Sequence, residues 1–108
     1  MSTRVGATES EHATAESSVG VGIELAGLSL VRAGVSRDQM SLPDGATVVD
    51  AVERLAEKHG EPVRPALLEG ARLRQDTVAH RRTREGWQRV PGGERLHHGD
   101  RIRFQVSD

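Results

Sequence analysis

Apolar side chains alternate with polar residues or glycine near both ends of the chain, and this period of two predicts β-strands with one buried face. The first alternation is VGVGIEL at residues 19–25, and the second is RDQMSLP at residues 37–43. Because a Pro-Asp-Gly turn closes the second stretch, we predict that these two strands pair antiparallel. The last alternation is RIRFQV at residues 101–106. Its inward residues are Ile102, Phe104 and Val106, and its outward residues are Arg101, Arg103 and Gln105.

The stretch ATVVDAVERLAEKHGEP, residues 46–62, predicts the main helix. Thr47 can cap the first turn, and Asp50, three residues later, completes a variant of the capping box. Apolar residues recur at helical spacing and form one stripe, which consists of Val48, Ala51, Val52, Leu55 and Ala56. Gly60 can take the left-handed position that ends the helix. We interpret His59, in the last turn, as a favourable partner of the helix dipole.

Shorter patterns fill the rest of the chain. Residues 28–31 carry three apolar side chains and either extend the first strand or form a helical turn. A short helical turn is predicted to bring Leu67 and Leu68 into the core, a third strand is centred on Val78, and another short strand spans residues 87–90. This order of elements predicts an α+β fold of the ubiquitin-like β-grasp type. In that fold a mixed sheet of four or five strands packs on one main helix.

Length and composition indicate one small domain preceded by a tail. The chain has 108 residues, 35% of them hydrophobic, and its two aromatic side chains are Trp87 and Phe104. We therefore expect an aliphatic core, with Trp87 in the core or at the sheet edge. Residues 1–18 have little to bury, so we expect a disordered tail there and a β-grasp domain at residues 19–108.

The sequence also limits the cellular compartments and the kinds of chemistry to be expected. The chain contains no cysteine, which excludes disulfides and thiolate chemistry. No apolar run approaches the roughly 20 residues of a membrane span, and the N-terminal segment lacks the apolar region of a signal peptide. We therefore expect a cytoplasmic protein that has no membrane partner.

Charge is distributed unevenly along the chain. The formal net charge is −1, yet residues 1–60 carry 5 basic and 9 acidic side chains, whereas residues 61–108 carry 10 arginines, no lysine and 7 acidic side chains. Six of the arginines fall at residues 72–89. Guanidinium groups bind carboxylates and phosphates bidentately, so this arginine-rich segment is a candidate docking surface, with a solvated loop as the alternative. Nucleic-acid binding is disfavoured, because it normally needs a clear positive excess or stacking aromatics.

Candidate catalytic and metal-binding groups are few. His97 and His98 could form a metal pair with His80, but side chains of adjacent residues in an extended segment point in opposite directions. Zinc also needs three or four ligands, which no spacing in the sequence supports. No nucleophile–histidine–carboxylate arrangement, phosphate-binding glycine loop or catalytic carboxylate pair stands out. We therefore predict a non-enzymatic protein with no metal and no cofactor.

Two stretches resemble the MoaD/ThiS family of sulfur-carrier proteins. LPDGATVVDAVERLAEKHG, residues 42–60, is similar to the family's strand end, threonine cap and striped helix. LHHGDRIRFQV, residues 96–106, is similar to the family's closing Leu-x-x-Gly-Asp-x-Ile-x-Phe stretch. In this stretch we expect Leu96 to plug the end of the sheet, Gly99 to take the tight turn, and Asp100 to bond backbone amides of that turn.

The resemblance covers roughly residues 20–106 and departs from the family at the C-terminus. Sulfur carriers end in a Gly-Gly tail, whose carboxylate a partner adenylyltransferase activates with ATP before sulfur replaces the adenylate. Glycines suit such a tail, because an extended segment without Cβ atoms can enter a narrow tunnel. Here Ser107 and Asp108 follow the last strand, so the family's reacting group is not carried over to Asp108. The glycine pair at residues 92–93 precedes that strand and cannot replace the tail.

These observations favour a sulfur-carrier-like protein that binds a partner or regulates it without being an enzyme. The predicted partner-binding residues are Arg81, Arg82, Arg84, Arg101, Arg103, Gln105 and Asp108. The expected partner is an adenylyltransferase-like protein or a larger enzyme subunit. One alternative is a true sulfur carrier of a molybdopterin, thiamin or cysteine-type pathway with an atypical or truncated C-terminus. Another is the ubiquitin-like small subunit of a multicomponent enzyme.

Overall fold

The computed structural model describes residues 18–106, and most of these residues build a five-stranded mixed sheet and three helices. The strands of this sheet are β1 (Ser18–Leu25), β2 (Arg37–Pro43), β5 (Thr77–Thr83), β6 (Gly86–Val90) and β7 (Arg101–Val106). A separate pair of short strands consists of β3 (Leu68–Glu69) and β4 (Arg72–Leu73). The helices are α1 (Gly27–Ala33), α2 (Val48–His59) and α3 (Val63–Leu67). The predicted disordered tail lies outside the described residues, except for Ser18, which begins β1.

The first and last strands lie side by side at the centre of the sheet, whose order is β2-β1-β7-β5-β6. They run parallel, with Ile23 opposite Ile102. β2 pairs antiparallel with β1, with Met40 opposite Val21, as the alternation predicts. β5 pairs antiparallel with both β7 and β6. A mixed five-stranded sheet packed on one main helix confirms the predicted α+β β-grasp fold.

The main helix α2 begins as predicted. The Thr47 hydroxyl accepts a hydrogen bond from the Asp50 backbone N–H at 3.3 Å, and the Asp50 carboxylate accepts one from the Thr47 N–H at 2.9 Å. Four residues of the apolar stripe are buried, namely Val48, Ala51, Val52 and Leu55. At the other end Gly60 has a φ of +99° but an extended ψ of −176°. It therefore uses the positive φ open to glycine without the predicted left-handed helical conformation.

The ambiguous stretch after β1 is helical. Helix α1 ends at Ala33 and is capped by Gly34, whose φ of 75° and ψ of 15° are left-handed, and the helix packs against β7. Helix α3 carries Leu67 into the core, and Leu68 is also buried at the start of β3, which confirms the prediction for this pair. The β3–β4 pair was not predicted, because strands of two residues are too short to show a period.

The core lies between α2 and the side of the sheet that faces it. Its largest fully buried side chains are Phe104, Leu55, Leu67, Leu96 and Ile102. Phe104 is the one aromatic residue among them, so the predicted aliphatic core is confirmed. Within residues 18–106, no helix has the length and apolar character needed to span a bilayer.

Candidate functional site

The side of the sheet that faces away from α2 is named the outer face. Ile102 and Phe104 are fully buried on the inner side, so their neighbours in β7 point outward. Residues directly opposite one another on adjacent strands share a side of the sheet, which extends the outer face over the other strands. The outer face includes Gly22, Glu24, Arg37, Gln39, His80, Arg82, Trp87, Arg89, Arg101, Arg103 and Gln105.

The outer face is strongly cationic. Among residues 18–106 it carries five arginines, one from β2, two from the β5–β6 hairpin and two from β7, and one carboxylate, that of Glu24. Arg103 binds that carboxylate through two nitrogens, at 3.1 Å and 3.0 Å from Oε1. Within residues 18–106, no ion pair involves Arg37, Arg82, Arg89 or Arg101. Four guanidinium groups on one side of the sheet are therefore available to a partner.

Trp87 lies among these arginines rather than in the core. It is half-buried on the edge strand β6, as expected for a sheet-edge residue. The Arg103 guanidinium carbon lies 4.2 Å from the centroid of the Trp87 ring, and that of Arg82 lies 5.6 Å from it. Cation–π contacts of this kind attract the arginine guanidinium groups to the face of the ring.

Arg81 lies on the opposite side of the sheet from the other predicted arginines. It stands opposite Ile102, and its side chain is only 16% exposed. Its guanidinium lies 2.8 Å from the Glu94 carboxylate and 3.1 Å from that of Asp100, and it also donates to the Arg95 carbonyl. Arg81 therefore ties strand β5 to the loop that precedes β7.

The other predicted partner-binding residues occupy three places. Arg82, Arg101, Arg103 and Gln105 all lie on the outer face. Arg84 lies exposed in the two-residue turn between β5 and β6. Asp108 lies outside the described residues. The structure thus gathers four of the seven residues on one surface and gives Arg81 internal partners.

The loop before β7 has the predicted turn. Leu96 is buried, Gly99 has a φ of +91°, and Asp100 accepts a hydrogen bond from the His97 N–H at 2.8 Å. The Gly99 N–H donates to the Gly20 carbonyl at 2.8 Å. This turn fixes the point at which β7 joins β1, and so it positions the arginines of β7 on the outer face.

The histidines of this loop do not gather around a common point. His98 Nδ1 accepts a hydrogen bond from the Gly20 N–H at 2.9 Å, whereas His97 is largely exposed. His80 lies on the outer face, between Arg103 and Arg89. Across residues 18–106, no group of three or more His, Cys, Asp or Glu side chains could hold a metal ion.

A cluster of charged groups covers one edge of the inner side. Asp38, on edge strand β2, accepts from Lys58 at 2.9 Å and lies 2.8 Å from His59 Nε2. The hydrogen bond from Lys58 is the main cause of a lowered pKa of the Asp38 carboxyl, with partial burial opposing it. Lys58 also donates to the Gln39 carbonyl at 3.3 Å. His59 therefore has a direct carboxylate partner in addition to its place at the helix end.

Three residues of the outer face were not among the predicted partner-binding residues. Arg37 and Arg89 come from different edge strands, and Trp87 was interpreted only as a core or edge residue. The alternation of β2 around Met40 could have placed Arg37 on the outward side. Only the register of β6 on β5 brings Trp87 opposite Arg82 and Arg89 opposite His80.

Comparisons with known proteins support the fold. No protein-family model matches the sequence, and no curated protein matches it significantly. Among solved structures, the chain is similar to Haloferax volcanii small archaeal modifier protein 1, with a TM-score of 0.63 and 19% identity over 83% of this chain and 99% of that one. It is similar to the Haloferax volcanii HVO 2177 protein, with a TM-score of 0.67 and 14% identity over 85% and 86%. It is also similar to a putative molybdopterin converting factor, subunit 1, from Pyrococcus furiosus, with a TM-score of 0.61 and 22% identity over 83% and 99%. The chain therefore has the MoaD/ThiS-like, ubiquitin-like β-grasp fold.

Proposed function

We propose that this chain is a non-enzymatic protein-binding module that docks its outer face on an acidic surface of a protein partner. The observation that carries the proposal is the set of four arginines on that face without a carboxylate partner among residues 18–106. The partner is an adenylyltransferase-like protein or a larger enzyme subunit. Its surface supplies the carboxylates that the outer face lacks.

The chemistry of the outer face supports a protein ligand. Arginine and tryptophan are enriched among the residues that dominate protein–protein binding. The planar guanidinium matches a carboxylate in a bidentate arrangement. Inside the domain, Arg103 binds a carboxylate through two nitrogens, both at Glu24 Oε1. The remaining four arginines can bind carboxylates of a partner across an interface.

Nucleic acid fits the same surface less well. Trp87 is the one aromatic side chain on the outer face, and the whole chain has a formal net charge of −1. Single-stranded nucleic acids need several stacking platforms, and duplexes need a larger positive excess. A protein surface that is acidic only locally is the better electrostatic match for a locally cationic face.

The test compares charge reversals on and off the docking surface. A partner is captured with the full chain by crosslinking, purified, and titrated by calorimetry with the wild type and with the double variant Arg82→Glu/Arg89→Glu, which reverses two charges of the outer face. The control is Arg72→Glu/Arg95→Glu, which changes the net charge equally at exposed arginines away from the outer face. We expect the first variant to bind much more weakly at low salt, with a smaller loss at high salt, and the control to bind as the wild type does. Equal affinity for the wild type and the first variant would contradict the proposal.

A second candidate function is that of a sulfur carrier, and the fold similarity to a putative molybdopterin converting factor subunit favours it. In this case an adenylyltransferase activates the C-terminal carboxylate of the chain, and sulfur then replaces one carboxylate oxygen. Intact-mass spectrometry after incubation with ATP, a sulfur donor and the adenylyltransferase detects this oxygen-to-sulfur exchange. An unchanged mass in a complex that still forms supports the binding module instead.

A further inference from the structure

The outer face contains a pocket with a volume of about 350 Å³. Its lining includes Gly22 from β1, Arg37 and Gln39 from β2, Arg101 from β7 and Trp87 from β6. Gly22 lies directly opposite Gln39 on one side and Arg101 on the other. The pocket therefore exists where a strand residue without a side chain is flanked by long side chains of both neighbouring strands.

Gly22 forms the floor of this pocket. A Cβ atom at this position would lie 3.2 Å from the Gln39 side-chain nitrogen, closer than such contacts usually come. Gly22 has an ordinary extended backbone, so nothing in its conformation requires glycine. What the glycine provides here is space between two guanidinium-bearing strands.

The charges around the pocket leave two cations without partners. Glu24 and Asp38 also line it, but Arg103 neutralises Glu24, and the Asp38 carboxylate lies on the inner side of the sheet, where it binds Lys58 and His59 of helix α2. Within residues 18–106, Arg37 and Arg101 make no ion pair, and both are exposed. A group that enters the pocket therefore meets two guanidinium groups without ion-pair partners and one carboxylate, that of Glu24, which Arg103 already binds.

Trp87 supplies the apolar wall. Arg103 lies 4.2 Å from its ring centroid, which fixes the ring beside the pocket while Arg103 is also bound to Glu24. An anionic group on a short apolar stem can therefore place its stem against the ring and its charge between the arginines. A glutamate or aspartate side chain has this shape, and one guanidinium can bind its carboxylate bidentately.

We infer that this pocket receives an acidic side chain of the protein partner, held between Arg37 and Arg101 with its stem against Trp87. The inference rests on the proposed function and names the anchor of the docking interface. It predicts that specificity depends on Gly22, Arg37 and Arg101 in particular, rather than on the total positive charge of the outer face.

Trp87 is the only tryptophan of the chain, so its intrinsic fluorescence reports on the pocket directly. The probe is an acetylated and amidated peptide of six glutamates, and the same peptide made of glutamines is its control. We expect a saturable change in Trp87 fluorescence with the glutamate peptide only. A response to the glutamine peptide of equal size, or tighter binding of inorganic phosphate or an oligonucleotide than of the glutamate peptide, would overturn the inference.

Three variants test the anchor with the same probe. Arg37→Gln and Arg101→Gln should each weaken peptide binding by about tenfold, since each removes a charge-assisted hydrogen bond. Arg72→Gln removes the same charge from an exposed arginine of β4, outside the pocket, and should bind as the wild type does. Wild-type affinity in both pocket variants would show that the pocket is not the anchor.

Gly22→Val tests the pocket without a change of charge. Its side chain fills the floor between Gln39 and Arg101, and we expect peptide binding to be lost while thermal unfolding shows a folded domain. Gly22→Ala adds a smaller side chain at the same position, and it replaces Gly22→Val in the test if the valine variant does not fold. Undiminished binding in the folded variants contradicts the inference.

Failure of the inference differs from failure of the proposed function. If Arg82→Glu/Arg89→Glu weakens binding to the purified partner while the Gly22, Arg37 and Arg101 variants do not, the outer face docks without this anchor. If none of these variants affects partner binding, both proposals are wrong. If the pocket variants lose both peptide binding and partner binding, the result supports the pocket inference and the proposed function.

Discussion

Arg81 and Arg82 are neighbours in the sequence and have opposite environments in the structure. The Arg81 guanidinium lies 2.8 Å from Glu94 and 3.1 Å from Asp100 and is mostly buried on the inner side of the sheet. Arg82 is exposed on the outer face, where its contact is the Trp87 ring at 5.6 Å. The same residue type thus stabilises the fold on one side of the sheet and is free to bind a partner on the other.

The contrast between Arg81 and Arg82 extends to the two sides of the sheet as a whole. The inner side has apolar residues against α2, with its charged groups paired at the margins. The outer face carries five arginines for one carboxylate, and its glycine floor leaves space open. Variants that distinguish the two sides should therefore affect stability on the inner side and binding on the outer face.

The largest stability effect is expected for Phe104→Ala. Phe104 is fully buried at the centre of the core, and its truncation removes apolar contacts and leaves a cavity. We expect the free energy of unfolding to fall by about 3–5 kcal/mol in urea denaturation. A loss below about 1 kcal/mol would show that the core can close around the gap.

The comparison of the two sides is tested most directly by Arg81→Gln and Arg82→Gln. Removing the Arg81 guanidinium leaves Glu94 and Asp100 without their cation in a largely buried place, and we expect a loss of about 1–3 kcal/mol. The same substitution at Arg82 should change stability by less than about 0.5 kcal/mol. Equal effects in chemical denaturation would contradict the assignment of the two residues to opposite sides.

An intermediate effect is expected at Asp38 on acidification. Lys58 lowers the pKa of the Asp38 carboxyl in the folded state, so the unfolded chain takes up this proton first as the pH falls. The stabilisation is present above the ordinary carboxyl pKa of about 4 and is lost as the pH falls through the lower folded value. Asp38→Asn should therefore lower stability at neutral pH and flatten this part of the pH profile.

The control for that titration is Asp44→Asn, which removes the same charge at a site whose side chain is 63% exposed. We expect its pH profile of unfolding to follow that of the wild type. If Asp38→Asn and the wild type lose stability at low pH in the same way, the Asp38–Lys58 pair does not contribute to the acid dependence of unfolding.

The smallest stability effect is expected for Arg82→Gln/Arg89→Gln on the outer face. Neither arginine has an ion-pair partner among residues 18–106, and both belong to a crowded cationic surface. Their removal relieves like-charge repulsion, so stability should stay the same or rise slightly at low salt, with no difference at high salt. A clear loss at low salt would mean that these arginines hold the fold together.

Where an element has a strong local period, the sequence predicted it well. The stripe of α2 and its Thr47–Asp50 capping box were both correct, and so was the alternation that places Arg101 and Arg103 outward. Each of these features depends on residues within one or two turns or a single strand. Periodicity and capping record such local geometry directly in the order of the residues.

Strand β5 lacked that signal. Its first three residues, Thr77, Val78 and Ala79, are all buried, so they show no alternation between an inner and an outer side. The arginine-rich segment was therefore considered as a single docking surface or a solvated loop. Only the pairing of β5 with β7 and β6 separates Arg81 from Arg82 and moves Arg84 into a turn.

The β-grasp order of elements, the aliphatic core and the cationic character of the C-terminal half could all be predicted from the order of the residues. Which arginines are already bound within the domain, and that Gly22, Arg37, Arg101 and Trp87 line one pocket, follows only from the folded chain. These four residues come from four strands, two in the N-terminal half of the chain and two near its C-terminal end. Cross-strand register is set by contacts throughout the sheet, and no local pattern of side chains contains it.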